Sequence, residues 1–166
     1  MNENLNNAQA IEKIKAIAGD IKIAVFCTEL TQIPIHSRPM SVQDIDEQGN
    51  LWFISSMESN KNFEIQKDNQ VQLFFSNTSN SQYLSVYGHA TIYTDQQKID
   101  ELWSPIAKIW FEEGKKDPKV TIIKVAPANA YYWDTKDGKI ITLLKMASAA
   151  LFGTTNDIGV EGKLNV

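Results

Sequence analysis

The rhythm of the chain constrains its fold more than any other feature: short β-rich runs follow one another at hairpin spacing, divided by clusters of Gly, Pro, Asn, Asp and Ser. Ile21–Thr28, Pro34–Val42 and Leu51–Ser55 are the first three, with the turn cluster Asp46-Glu47-Gln48-Gly49-Asn50 before the third. Gln70–Phe75 and Tyr83–Tyr93 follow, parted by the Ser/Asn-rich loop Asn77–Ser81. Val120–Val125, Ala130–Asp134 and Ile140–Leu144 complete the series, the last entered through an Asp137-Gly138 hairpin turn. Gly88 interrupts the longest run, which predicts a bend or bulge there. About seven strands with helices only at the margins predict a mainly β chain, a closed or partly closed antiparallel barrel with short flanking helices.

The helical signals are few. Ile11, Ile14, Ile17 and Ala18 share a face of a helix over Ala10–Ala18, stopped by Gly19. Ser59 is placed to cap a helix over Asn60–Asp68, with Phe63 as its buried anchor and Ile65 as a weaker one. Asp95 starts a third, with Ile99, Leu102 and Trp103 on one face; Pro105 breaks it before a shorter piece over Ile106–Phe111. After the loop 112–118 and the last strands, Ala147–Leu151 has room for one helical turn. Residues 1–150 therefore read as one domain, and residues 151–166, Gly-rich from Gly153, as a C-terminal tail with little to hold it still.

Charge excludes several functions. Sixteen basic against twenty acidic residues leave a net charge of -4, with no long run of either sign. That balance gives no general affinity for nucleic acid or an anionic membrane. The single Cys27 excludes an internal disulfide and, in an apolar run, reads as a core residue. The polar start Met1-Asn2-Glu3-Asn4-Leu5 has neither a basic nor an apolar leader segment, and no stretch is long enough to span a bilayer, so a cytoplasmic protein is expected. No G-x-S-x-G elbow, P-loop or G-x-G-x-x-G occurs. His36 and His89 fall on different strands without ligand spacing, so no metal centre is expected.

One position stands apart. Arg38 is the sole arginine and lies in an otherwise apolar extended run, where a charge is costly unless an anion meets it. Pro39 follows it and cannot donate to a sheet ladder, so this segment should be an edge, a strand start or a bulge, with backbone left open to a ligand or second subunit. His36, two residues earlier, shares Arg38's strand face. Lys61 supplies a second cation; Ser55, Ser56 and Ser59 supply hydroxyls; and the helix start after Ser59 supplies backbone N–H groups. This set suits a phosphate monoester. Trp52, Trp110 and Trp133 offer flat surfaces against which a conjugated ring could stack.

Several pieces occur in a telling order: Ser37-Arg38-Pro39-Met40, Leu51-Trp52-Phe53-Ile54-Ser55, Ser59-Asn60-Lys61, Val86-Tyr87-Gly88-His89-Ala90, Ile109-Trp110-Phe111, Tyr132-Trp133-Asp134 and Gly159-Val160-Glu161-Gly162-Lys163. In that order they resemble the general stress protein group of the pyridoxamine-phosphate-oxidase-like FMN-binding split barrels, over nearly the whole chain. The resemblance implies a homodimer of split β-barrels with FMN, or alternatively FAD, at the subunit interface. It places the cofactor against Arg38, Pro39, Met40, Phe53, Ile54, Ser55, Ser56, Ser59 and Lys61, with Trp110 and Trp133 of the other subunit approaching the ring. The oxidases of the group carry an Arg-Lys pair where this chain has Asn60-Lys61, and a Gln where it has Tyr83. They also carry a C-terminal substrate arginine, which a chain whose sole arginine is Arg38 lacks, so pyridoxamine phosphate oxidation is not expected.

Two functions follow from that likeness. One is a flavin oxidoreductase in which FMN takes a hydride and a small molecule or reduced nicotinamide approaches the ring, with no catalytic side chain singled out. The other is a stress-response module that stores or senses flavin without turnover.

Overall fold

A computed structural model of the protein describes residues 1–135 and 159–166. The expected Asp137-Gly138 turn, the strand Ile140–Leu144 and the helical turn Ala147–Leu151 lie outside the described residues. Six antiparallel strands close into a barrel: β2 (Ile23–Thr28), β3 (His36–Ile45), β4 (Leu51–Ser56), β5 (Gln70–Asn77), β6 (Gln82–Tyr93) and β7 (Val120–Thr135). Around the barrel the order is β7-β4-β3-β2-β5-β6, and β6 pairs back to β7. Two further strands, β8 (Gly159–Asn165) and the two-residue β1 (Leu5–Asn6), extend the sheet beyond β7.

Alternation sets the inside. On β4, Leu51, Phe53 and Ser55 are buried, while Trp52, Ile54 and Ser56 are half-buried on the other face. Phe53 and Phe26 meet edge to face, with ring centroids 5.3 Å apart, inside a core that also takes Leu51, Leu73, Val86, Ile123 and Tyr132. Helix α1 (Asn7–Ile21) contributes Ala10, Ile14, Ile17 and Ala18 to this core. It runs past Gly19 to Lys22, whose left-handed φ of 64° and N–H bond to Ala18 O form the actual stop.

Helix α3 (Gln96–Leu102) and the 3-10 segment Pro105–Ile109 cover a second cluster on the outer side of β4 and β7. Its members are Ile99, Leu102, Phe111, Val120 and Ile122, with Trp52, Ile54, Tyr93 and Trp103 against them. Asp95 caps α3 as its sequence suggests, accepting from Lys98 N at 2.8 Å.

Several sequence expectations need correction. The runs 120–125 and 130–134 are one strand, because β7 is shared in turn by β4, β6 and β8 and Pro127 sits at a shift in its ladder to β6. That shift falls between Tyr87 and Gly88, and a Cβ at Gly88 would collide with the Ala126 carbonyl; the predicted bulge is there. Part of the Gly-rich C-terminal stretch is strand β8, where Gly162 leaves room for the Glu3 carbonyl. In helix α2 (Asn60–Lys67) the buried residues are Asn62 and Ile65, whereas Phe63 is 57% exposed, so the expected anchor faces outward.

Strand β3 is flanked on both sides in the barrel order, so it is not an edge strand throughout. Its first half is an edge nonetheless. His36–Ser41 pair with β2 only, and contact with β4 starts at Val42↔Phe53 and continues through a bulge to Ile45↔Leu51. On the opposite bank, Ile54, Ser55 and Ser56 pair only with β7. The barrel is thus split between residues 36–41 and 54–56. Pro39, which lacks an N–H, sits where no second partner asks for one.

Candidate anion cradle in the open seam

The split opens into a cavity of about 450 Å³, lined by strand residues Arg38, Pro39, Met40, Ile54, Ser55 and Ser56, by Ser59 and Lys61 at the start of α2, and by Ser104, Ile106, Ala107, Trp110 and Phe111. Such a volume lies within the usual range of about 300–1,000 Å³ for cofactor sites. Among the described residues, two cations line the cavity and no Asp or Glu does. A larger hollow of about 690 Å³ exists elsewhere, against Phe74, Tyr83 and Trp133, but its charged lining side chains are Asp134 and Glu161, and it lies at Thr135 and Gly159, beside the undescribed segment. For an anion the smaller cavity offers the more favourable charge.

Arg38 lies on the β3 face that turns inward, opposite Phe26 in register, so its charge must find partners. Its Nη2 donates to Glu64 Oε2 at 2.7 Å, and its Nη1 donates to Thr28 Oγ1 at 2.6 Å and Phe26 O at 3.5 Å. Burial pushes the Glu64 carboxyl up, but hydrogen bonds from Thr28, His36 and Arg38, with Arg38's charge, carry it below the ordinary carboxylate range. Lys61 goes the other way from a normal lysine. Burial and then the Arg38 charge lower its pKa, and Glu64 offsets only part of this. Arg38 and Lys61 therefore share one cavity and repel each other across it, and no carboxylate forms an ion pair with Lys61 among the described residues. Holding two like charges together leaves a place for an incoming anion.

The serines divide the work. Ser55 Oγ donates to Asn62 Oδ1 at 2.7 Å, and Ser59 Oγ donates to Ser56 O at 2.7 Å. Ser59 occupies the α2 N-cap position without a side-chain cap bond, so the first N–H groups of the helix are not closed off by it. Ser56 Oγ accepts from Glu58 N at 3.3 Å, and its hydrogen has no acceptor among the described residues. Asn62, 1% exposed, ties the arrangement together by donating to Thr121 Oγ1 at 2.8 Å while accepting from Ser55. It holds α2, β4 and β7 in one buried polar network beside the split.

Nine of the eleven residues singled out from sequence line this cavity: Arg38, Pro39, Met40, Ile54, Ser55, Ser56, Ser59, Lys61 and Trp110. Phe53 does not; fully buried against Phe26, it supports the seam from inside the core. Trp133 does not either, lying against Tyr131 on the wall of the other hollow. Trp110, which the resemblance assigns to the ring of the other subunit, is instead 80% exposed at the rim of its own chain's cavity. His36 shares Arg38's face but turns to Glu64 Oε1 at 2.9 Å and Glu29 Oε2 at 3.1 Å. The three side chains bring ligand-type atoms within 4.8 Å of one another, a grouping strand positions alone did not reveal, and Arg38 and Lys67 already balance the two carboxylates. Sequence reasoning also missed Glu64 and Asn62. The available signal was their position on α2, four and three residues beyond Asn60 and Ser59.

Residues 9–157 match the family model described as Pyridoxamine 5'-phosphate oxidase like. The chain belongs to this family. Among curated relatives, Protein bli-3 of Neurospora crassa is 30% identical over 105 residues, 58% of this chain and 50% of that protein, so the chain spans about half the length of the relative it matches. A general stress protein 26 from Jannaschia sp. CCS1 superimposes with a TM-score of 0.77 at 25% identity, covering 96% of this chain and 99% of that one. A protein from Xanthomonas citri described as a general stress FMN/FAD binding protein shares the fold, with a TM-score of 0.66 at 24% identity over 76% of this chain and 89% of that one. The barrel is thus shared with these two solved structures, and no helix among the described residues is long and apolar enough to cross a membrane.

Proposed function

We propose that the chain binds FMN in the open seam, with the phosphate between Arg38 and Lys61 and the O–H of Ser56 completing the grip. The observation that carries this reading is two cations from separate elements on one cavity wall that has no carboxylate among the described residues. A dianion relieves their repulsion and gains charge-assisted hydrogen bonds. Ile54, Met40 and Phe111 give the apolar wall a flavin needs, and Trp110 gives an exposed aromatic at the mouth. The family match and the FMN/FAD-binding description of the Xanthomonas citri fold-mate support flavin as the class of ligand. FAD fits the same grip if its adenylate half extends outward through the split.

The site is completed by a second copy of the chain. Pro39, Val25 and Phe74 are paired in register across three strands and all face outward; with Ile23 they form an apolar row that meets the cavity at Pro39. Covering this row buries the row and the unpaired strand edge together, and brings partner aromatics, including Trp133, toward the ring.

Bound flavin would accept and pass on a hydride from a reduced nicotinamide or small molecule, the protein supplying orientation and electrostatics. One observation also favours a binding protein without turnover: among the described residues, the cavity wall carries no side chain suited to proton transfer apart from Lys61. The visible spectrum of protein titrated with FMN, then with NADH or NADPH under argon, separates these readings. Bleaching that reverses in air indicates an oxidoreductase; a bound flavin inert to donors indicates the binding module; no uptake of FMN refutes both.

A further inference from the structure

Glu64 does not line the cavity, yet it governs how Arg38 is presented to it. A guanidinium carries five N–H donors, and in this site three acceptors reach it from behind: Thr28 Oγ1 and Phe26 O at Nη1, and Glu64 Oε2 at Nη2. The Nε–H and the second Nη2–H have no partner among the described residues. These two lie on one edge of the planar group, the edge that can give an oxyanion two parallel hydrogen bonds. Glu64 is itself held: Thr28 Oγ1 donates to its Oε2 at 2.5 Å, His36 Nδ1 lies 2.9 Å from its Oε1, and its side chain is 12% exposed. A free arginine side chain samples many rotamers, an entropy that a preset orientation does not have to lose on binding.

We propose that Glu64 is a positioning residue for the anion: by clamping the end of Arg38 against Thr28 it turns the Nε/Nη2 edge into the seam. The site can then tell a phosphorylated ligand from its dephosphorylated counterpart. This inference rests on the phosphate-binding reading above and adds a specificity determinant to it.

FMN and riboflavin differ only in the phosphate, so their affinity ratio isolates the effect. Both are titrated by flavin fluorescence into the full-length protein and into E64A, E64Q, R38A and R38A/E64A. The wild-type protein prefers FMN. E64A lowers that preference tenfold or more, with riboflavin affinity changed less than twofold. E64Q, whose amide oxygen still accepts from Nη2, recovers most of the loss. In the R38A background E64A has no further effect on the ratio, a coupling that a general loss of structure would not produce. If E64A does not fold, T28V removes the hydroxyl that ties Arg38 to Glu64 while keeping the side-chain shape, and at least a threefold selective loss of FMN preference is expected. An E64A or T28V protein with the wild-type ratio overturns the inference alone, and a raised ratio overturns it by marking Glu64 as a competitor for Arg38. A wild-type protein that binds both flavins equally, or neither, overturns the phosphate reading and this inference with it.

Discussion

Two seams of the barrel are built in opposite ways. β6 and β7 are matched from Tyr83↔Trp133 to Tyr93↔Ile122, with a single shift at Gly88. β3 and β4 meet only from Val42↔Phe53 to Ile45↔Leu51, and the rest of their facing edges is left open. The closed seam spends its backbone donors and acceptors on structure. The open seam keeps them, sets two cations beside them, and is where a ligand can be held without breaking the sheet. On the reading proposed above, binding comes from incompleteness supported by a complete barrel behind it.

The sharpest way to break this comparison is to damage the support without touching the cavity. Phe53→Ala removes a fully buried ring packed on Phe26 and should cost about 3–5 kcal/mol in urea unfolding, while folded protein keeps most of its FMN affinity. If affinity fell and stability held, Phe53 would be a ligand contact after all. Arg38→Ala acts in the reverse sense on the open seam. FMN binding should weaken by about 2 kcal/mol or more in a fluorescence titration, and an unchanged dissociation constant would move the phosphate elsewhere.

Asn62→Ala tests the joint between the two regions. It leaves Ser55 and Thr121 without their buried partner and should cost about 1–3 kcal/mol of stability, read as a lower denaturation midpoint. The smallest effect is the pH dependence of binding. Lys61 has a lowered pKa in the empty site, and a bound dianion raises it again, so binding takes up a proton in the window between those two values. Above about pH 6, where free FMN is already a dianion, FMN affinity should be level until the lowered Lys61 pKa and fall as pH rises through it. Lys61→Met, which cannot titrate, should be weaker throughout and lose that slope.

The same contrast explains what the sequence disclosed. Pro39 declared a missing ladder partner, Gly88 a bulge, and the lone Arg38 an anionic partner, which within the chain is Glu64, because each is a residue type with few other reasons to stand where it does. α2 was harder. Phe63 looked like its anchor because burial usually follows hydrophobicity, yet the helix turns Asn62 and Glu64 inward to serve the seam, and its phenylalanine outward. Polar residues buried for mutual hydrogen bonding look, in a linear pattern, like a solvated face. The strand β8 escaped notice for a related reason: Gly159 and Gly162 read as flexibility, although Gly162 is there to admit the Glu3 carbonyl. Trp110 and Trp133 were both visible as candidates, but one chain places them on different hollows.

The most direct test of the account is the phosphorus NMR spectrum of FMN bound to the protein, recorded across pH 5 to 8. A phosphate monoester free in water loses its second proton at about pH 6. Held by Arg38 and Lys61, the bound phosphate should stay dianionic, giving a distinct resonance whose position does not change over that range in wild-type protein and titrates again in Arg38→Ala. A bound resonance that titrates like free FMN, or the absence of any bound resonance, would contradict the claim that this open seam grips a dianion.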